Sequence, residues 1–175
     1  DLLVRADFLY PMSPGLPIVA DGEVAIRGSR IVHAGPRLPE GSWLADRVLD
    51  GTGKAVLPGF VNAHCHTASL IFRSQTDDSS GGVGLYSVAF RMEKDVVDEE
   101  WRLLASLGCL DMLLAGVTTI NDIWYCPQGL AEAVQRVGLR AQIANKVFDV
   151  RLEALGDGDY GRDAALGQRR LREGV

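Results

Sequence analysis

The stretch Pro-Gly-Phe-Val-Asn-Ala-His-Cys-His at residues 58–66 decides how this chain is interpreted. It has the composition of a buried strand that ends in two histidines. Because strand side chains alternate between faces, His64 and His66 are expected on one face and Cys65 on the other. Two such imidazoles at the carboxyl end of a parallel strand, where α/β proteins place their sites, can bind one Zn²⁺ or Fe²⁺. The alternative is two ordinary core or surface histidines.

Composition limits the class of protein. The chain has 175 residues, of which 47% are hydrophobic and 23% charged, as in a globular domain with a core. The net charge of −5 argues against a nucleic-acid partner or an anionic membrane. We find no apolar run that would span a bilayer and no signal peptide. Three cysteines without a Cys-x-x-Cys motif predict reduced thiols in a cytoplasmic protein.

The sequence predicts two regions. Residues 1–57 contain short strands separated by Gly, Pro and Asp, which predicts a small all-β subdomain. From residue 58 to 175, strands alternate with helices, which predicts a parallel sheet with right-handed crossovers. The strands predicted in the first region are Leu2–Tyr10, Gly22–Arg27, Arg30–Ala34 and Arg47–Leu49.

A long helix is the clearest element of the second region. Asp98 is predicted as its N-cap, Ala115 as its end and Gly116 as its C-terminal cap. Its apolar face is predicted from the 4, 3, 4 spacing of four leucines: Leu103, Leu107, Leu110 and Leu114. The other predicted elements are strands Phe60–His66, Val117–Tyr125 and Leu139–Asp149, helices Gln128–Val137 and Gly161–Arg172, and a flexible loop Asp77–Gly84 that is either a lid or an ordinary surface loop.

Several segments together resemble the amidohydrolase superfamily. The resemblance is to the branch of cytosine and guanine deaminases, S-adenosylhomocysteine deaminases and triazine chlorohydrolases. It rests on the following segments, in this order: residues 56–66, Phe72-Arg73, Asp77-Asp78, Met92-Glu93, the Ala-Gly-Val-Thr-Thr-Ile-Asn-Asp segment 115–122, and Gly-Leu-Arg-Ala at 138–141.

The resemblance implies a fold and a metal site. The fold would be α/β: the N-terminal part of a metal-dependent TIM (β/α)8 barrel, preceded by half of a small β-sandwich subdomain. His64 and His66 would close the first barrel strand and hold one divalent ion, Zn²⁺ or Fe²⁺. Glu93, just before the long helix, would contact the substrate ring.

Further residues take roles from the same resemblance. Trp124 and Tyr125, at the end of the second strand, would line the substrate pocket. Asp122 would support the site at the same strand end. Asn62 shares the histidine face and would hold a ligand imidazole. Some distant members of the superfamily use a carbamylated lysine; we interpret Lys146 as structural or solvent-facing.

The implied activity is metal-assisted hydrolysis of a carbon–nitrogen bond. The bound ion lowers the pKa of its water from ~15.7 towards ~7, and the small-molecule substrate is a heteroaromatic ring bearing an amino group: a purine, pterin, pyrimidine or triazine. The alternatives are dechlorination of a triazine-type ring, a non-catalytic remnant of the fold, and a metal-binding or sensing module.

The histidine count leaves this site unfinished. The chain contains three histidines, His33, His64 and His66, and a catalytic zinc site usually takes three protein ligands plus water. A TIM barrel takes ~250 residues. We therefore expect the general acid and base beyond residue 175. We also expect an inactive, poorly soluble isolated chain, completion of the barrel by a remaining segment or a partner chain, and a homo-oligomer for the full-length protein.

Overall fold

The computed structural model describes residues 1–75, 77–79 and 82–173. The chain divides into two compact units, Asp1–Pro58 and Gly59–Val175. Within the described ranges, we find no helix with both the length and the apolar character needed to cross a membrane.

The first unit is a four-stranded sheet. Its strands are β1 (Leu2–Leu9), β2 (Val19–Arg27), β3 (Arg30–Pro36) and β4 (Arg47–Val56), in the order β3-β2-β1-β4. β1 pairs antiparallel with β2 and parallel with β4. The four predicted strands are present. The strand β4 is ten residues long where three were predicted; its Asp-Gly-Thr-Gly segment has a composition typical of turns, which hides the continuation of the strand. Gly51 is needed there, since a Cβ would lie 2.3 Å from the Arg5 carbonyl oxygen.

The second unit contains a parallel sheet. Its strands are β5 (Phe60–Cys65), β6 (Val117–Trp124) and β7 (Arg140–Asn145), with β6 in the centre. The Pro-Gly before β5 has a packing reason, because a Cβ on Gly59 would lie 2.2 Å from the Thr118 side chain. β7 is shorter than the predicted Leu139–Asp149, and β5 ends one residue before His66.

Short helical segments follow the histidines. A 3₁₀ helix covers Thr67–Phe72, and then α1 (Gly82–Gly84), a π-helical stretch (Leu85–Ala89) and α2 (Phe90–Glu93) run on one after another. The flexible loop predicted at Asp77–Gly84 is therefore helical at its end, while Ser80 and Gly81 lie outside the described residues. The later helices are α3 (Asp98–Leu114), α4 (Pro127–Val137), α5 (Leu152–Leu155) and α6 (Ala164–Glu173).

The start of α3 differs slightly from the prediction. The N-cap is Val97 rather than Asp98. The backbone N–H of Val97 donates to the Glu100 carboxylate at 3.0 Å. This side chain satisfies a free N–H at the helix start, and Asp98 becomes the first helical residue.

The buried face of α3 is also not the leucine face. The residues that α3 buries are Trp101, Ala105, Gly108 and Cys109. The four leucines of the predicted stripe are 43 to 78% exposed in the described structure. The 3₁₀ helix comes very close to this face at Gly108, because a Cβ there would lie 2.1 Å from the Thr67 carbonyl oxygen. Spacing alone identified a helix but not which side of it packs.

Candidate metal centre and adjoining cavity

The two histidines of the opening motif lie side by side at the end of β5. Their ring centroids are 4.9 Å apart, with the planes at 78°. His64 is the penultimate residue of the strand and is exposed, whereas His66 follows the strand and is half-buried. Cys65 between them is buried. The alternation predicted from the sequence therefore brings both imidazoles to one place, although His66 lies outside the strand.

His66 is held in an orientation that suits a metal ligand. Its Nδ1 lies 2.9 Å from the carbonyl oxygen of Ile123 on β6, so a proton on Nδ1 leaves Nε2 free with its lone pair. Its ring also packs against Trp124, with centroids 5.5 Å apart. Burial lowers the pKa of His66, the hydrogen bond to Ile123 opposes this, and the charges of Lys146 and His64 add smaller lowering contributions. The neutral imidazole is the form that binds a divalent ion, so the residues present fit part of a metal site.

Asp122 lies on β6, paired with Cys65 of β5 in the sheet. It is fully buried, and the Thr67 backbone N–H and hydroxyl both donate to its Oδ2, at 3.0 and 2.5 Å. Its Oδ1 has no hydrogen-bond partner among the residues that the structure describes. Asp122 thus ties the turn after His66 to strand β6.

Asn62 supports the neighbouring histidine in a different way from the prediction. Its Oδ1 accepts a hydrogen bond from the backbone N–H of His64 at 3.2 Å, and its Nδ2 lies 3.5 Å from the Met112 sulfur. It therefore holds the strand end rather than an imidazole ring.

A cavity of about 400 Å³ opens beside His66. Its walls are mainly apolar and aromatic, and Glu93 and Lys146 supply their charged groups. The residues that line it are His66, Ser69, Phe72, Leu85, Tyr86, Phe90, Glu93, Trp124, Lys146, Phe148 and Leu155. The cavity therefore combines flat rings with a few polar groups, as small-molecule sites do.

Glu93 is buried in this wall, with only 9% of its surface exposed. Burial raises the pKa of its carboxyl, although the nearby Tyr125 hydroxyl and the Lys146 ammonium oppose the rise. Burial, followed by the charge of Glu93, also raises the pKa of Tyr125. Neither Glu93 Oε2 nor the Tyr125 hydroxyl has a partner of normal hydrogen-bond geometry within the described ranges. Glu93 is the carboxylate among the residues that line this cavity.

Trp124 supports the histidine, and Tyr125 lies behind the cavity wall. Trp124 is 2% exposed and packs edge-on against Trp101 of α3, with ring centroids 5.2 Å apart. Tyr125 packs against Trp124 at 5.2 Å and lines an adjoining cavity, together with Glu93. Both aromatics are thus fixed by packing, and Trp124 is the one in direct contact with His66.

Lys146 is the residue that sequence reasoning missed. The sequence predicts a structural or solvent-facing lysine, yet Lys146 is half-buried and lines the cavity with His66 and Glu93. Burial lowers the pKa of its ammonium, opposed by Glu93. Its position just after β7, at the same sheet edge as the histidines, was the available sequence signal.

The described residues contain no cluster of three or more His, Cys, Asp and Glu side chains that would hold a metal ion. The third histidine, His33, lies in the first unit, where its Nε2 is 2.9 Å from the Pro36 carbonyl oxygen. His64 and His66 are therefore the two histidines that the described structure brings together.

Residues 55–174 match the sequence profile of the Amidohydrolase family. The chain belongs to this family. The matched range contains both histidines, Glu93 and Lys146. The resemblance to the amidohydrolase superfamily, inferred from several sequence segments, is thereby confirmed.

Several curated proteins similar to this chain are named as deaminases. The chain is 33% identical to the 5-methylthioadenosine/S-adenosylhomocysteine deaminase of Pelotomaculum thermopropionicum, over 86% of this chain and 35% of the relative. It is 29% identical to the 5'-deoxyadenosine deaminase of Methanosarcina mazei, over 91% of this chain and 36% of that protein. The chain thus spans about a third of the length of the curated relatives it matches.

Solved structures confirm the fold class. An adenosine deaminase from Xanthomonas campestris with bound zinc superposes with a TM-score of 0.79 at 27% identity, over 86% of this chain and 35% of that one. The zinc complex of atrazine chlorohydrolase from Arthrobacter aurescens gives 0.69 at 21% identity, over 98% of this chain and 41% of that one. The second likeness shows the fold alone. The α/β fold predicted from the sequence, the N-terminal part of the amidohydrolase barrel, is thereby confirmed.

Proposed function

We propose that the protein containing this chain is a metal-dependent hydrolase that deaminates a heteroaromatic ring, with adenosine-like nucleosides as the substrate class. The observation that carries the proposal is the pair of adjacent imidazoles, one of them fixed through Nδ1, beside an aromatic cavity. Family membership and the deaminase names of the relatives support it. The likeness to triazine hydrolases rests on 20 to 22% identity and favours no second activity.

His64 and His66 would hold one divalent ion through their neutral rings, with zinc as the first choice because two structural neighbours contain it. Such an ion, when bound, would lower the pKa of the water that it binds towards ~7. Other residues of this chain position the histidine and shape the cavity. The Ile123 carbonyl fixes the His66 tautomer, Trp124 holds the ring, and the apolar wall excludes water. Glu93 accepts hydrogen bonds from the substrate.

The chain supplies only part of the barrel. The sheet order β5-β6-β7 leaves one edge of β5 and one edge of β7 unpaired among the described strands, and exposed strand edges pair readily with further polypeptide. We propose that polypeptide beyond these residues completes the barrel and supplies the remaining ligands and the general acid and base. A homo-oligomer and a cytoplasmic location remain proposals, the latter supported by three free cysteines.

Metal analysis of histidine variants tests the site. We would express the complete reading frame and compare His64→Ala and His66→Ala with His33→Ala, the matched control in the other unit. The wild type and the control should retain about one divalent ion per chain, and each site variant should lose at least about 90% of it. Unchanged metal content in both site variants would refute the ligand assignment.

Ammonia release tests the reaction. The complete protein would be assayed with adenosine, 5'-deoxyadenosine, S-adenosylhomocysteine, guanine, cytosine and a chlorinated triazine. We expect turnover of the adenosine-like compounds that disappears in the His66→Ala variant. Chloride release without ammonia release would favour dechlorination instead, and no turnover by a fully metallated protein would favour a non-catalytic role.

A further inference from the structure

Lys146 places a positive charge in the cavity wall in an unusual setting. Its backbone N–H donates to the Trp124 carbonyl at 2.9 Å, which fixes the residue against strand β6. Its ammonium lies over two aromatic rings, 4.5 Å from the centroid of Trp124 and 4.7 Å from that of Tyr125. Phe148 provides a third ring at 5.8 Å. Three flat faces therefore surround one side of the charge.

The hydrogen-bond donors of this ammonium are unused within the described ranges. No carboxylate there lies within 4.0 Å of Nζ, and no protein acceptor takes a hydrogen bond from it. Glu93 affects the charge through space without forming an ion pair. An ammonium carries three donors, and aromatic faces satisfy none of them as a carbonyl or carboxylate would.

This arrangement has an energetic consequence. Taking a lysine charge partly out of water is costly, and contact with aromatic faces offsets only part of that cost. A purely structural lysine at this place would gain more by pairing with a carboxylate or by extending its flexible stem into water. The three rings instead hold the charge where it meets the contents of the cavity.

We propose that Lys146 is a substrate-binding residue whose ammonium donates hydrogen bonds to an acceptor atom of the ligand in this cavity. The ligand class is a heteroaromatic amine that carries a ring nitrogen or an oxygen as acceptor. Glu93, in the same cavity, accepts hydrogen bonds from that molecule. Lys146 therefore recognises an acceptor atom of the ligand, and Glu93 recognises a donor. This inference rests on the proposed function and adds a specificity residue to it.

Substitution of Lys146 separates binding from fold. The variant Lys146→Met keeps the length and apolar stem of the side chain and removes the donors, and Lys146→Arg restores donors and charge. The matched control is Lys54→Met, which removes an exposed lysine from β4. Each complete, metal-loaded protein would be measured for KM and kcat with adenosine, for metal content and for melting temperature.

We expect Lys146→Met to raise KM roughly tenfold to hundredfold, the loss of a charge-assisted hydrogen bond. Its kcat should stay within about threefold, its metal content and melting temperature should match those of Lys54→Met, and Lys146→Arg should recover part of the affinity. An unchanged KM would overturn the inference. So would a loss of metal or of melting temperature in Lys146→Met, because the lysine would then be structural.

Failure of the proposed function gives a different result. If the metal-loaded wild type releases no ammonia, the deaminase proposal fails, and calorimetric titration with adenosine then decides the role of Lys146. Weaker binding by Lys146→Met than by the wild type would support the inference, whereas equal or absent binding would overturn it.

Discussion

The floor of the candidate site differs from its wall. The floor consists of Thr67, Gly108 and Asp122, around the turn that follows His66, and the wall consists of the cavity-lining Glu93 and Lys146 together with Tyr125, which lies behind them. In the floor, Thr67 donates twice to Asp122, and its carbonyl lies against the α3 backbone at Gly108. In the wall, Glu93 Oε2 and the Tyr125 hydroxyl have no partner among the described residues.

This difference separates folding from binding. Buried polar groups are normally hydrogen-bonded, so a group left without a partner points to a ligand or to further polypeptide. In the floor, the polar groups are hydrogen-bonded within the chain apart from Asp122 Oδ1, so the floor should determine stability. In the wall, the polar groups lack such partners, so changes there should alter ligand binding and leave stability nearly unchanged. Four substitutions or modifications test this division.

The largest effect is expected for Asp122→Ala in the floor. It leaves the buried N–H and hydroxyl of Thr67 without their acceptor, and each such group costs about 1–3 kcal/mol. The free energy of unfolding should fall by about 3 kcal/mol in urea denaturation of the complete metal-free protein. Asp111→Ala is the control, since the ion pair of Asp111 with Arg73 is exposed and should cost at most about 1 kcal/mol. Equal losses in the two variants would contradict the importance of the floor.

Gly108→Ala should have the next largest effect. The added methyl would meet the Thr67 carbonyl oxygen at 2.1 Å, and overpacking of this kind costs about 1–3 kcal/mol. Leu107→Ala, on the exposed face of the same helix, should change the free energy of unfolding by less than about 0.5 kcal/mol. A harmless Gly108→Ala would disprove the close approach of the 3₁₀ helix. A costly Leu107→Ala would show that further polypeptide covers the leucine face.

Sequence reasoning recovered most of the fold because the strands and long helices have strong local patterns. It failed on the buried side of α3 for a physical reason. Four leucines suggest a core face, but the real contact is a close backbone approach that requires Gly108. A small residue carries no hydrophobic periodicity, so only the position of the 3₁₀ helix reveals its importance.

The candidate site was predicted unevenly. Strand alternation predicts the adjacency of His64 and His66 without tertiary information, although His66 lies just past the end of β5. The residue that was misjudged, Lys146, is distant in sequence from the histidines and reaches the cavity only because β7 pairs with β6. Its environment is made by Trp124, Tyr125 and Phe148, which no single stretch of sequence brings together.

Glu93→Gln tests the wall directly. The substitution keeps the size of the side chain and removes its charge, and a hydrogen bond from a ligand to a charged group contributes about 1.5–3 kcal/mol. KM for adenosine should therefore rise by at least about tenfold. The melting temperature should not fall, because Glu93 Oε2 has no partner to lose within the described ranges. Glu99→Gln, at an exposed position on α3, is the control. A lower melting temperature with an unchanged KM in Glu93→Gln would show that Glu93 contributes to stability, as the floor residues do, and not to binding.

The smallest effect concerns the thiol of Cys109, which lies under Thr67 with 0% of its surface exposed. Burial is the main cause that raises its pKa to about 11; the Thr67 side chain opposes the rise, and the charge of Asp122 adds to it. At pH 8 only roughly 0.1% of the thiol would be thiolate, the reactive form. Iodoacetamide at pH 8 should therefore label partly exposed Cys126 first and Cys109 only after unfolding, as peptide mass spectrometry would show. Since Asp122→Ala removes the charge and loosens the floor, Cys109 should be labelled faster in that variant than in the wild type. Rapid labelling of Cys109 in the folded wild type would mean that the floor opens without any substitution, and the proposed division between floor and wall would then be wrong.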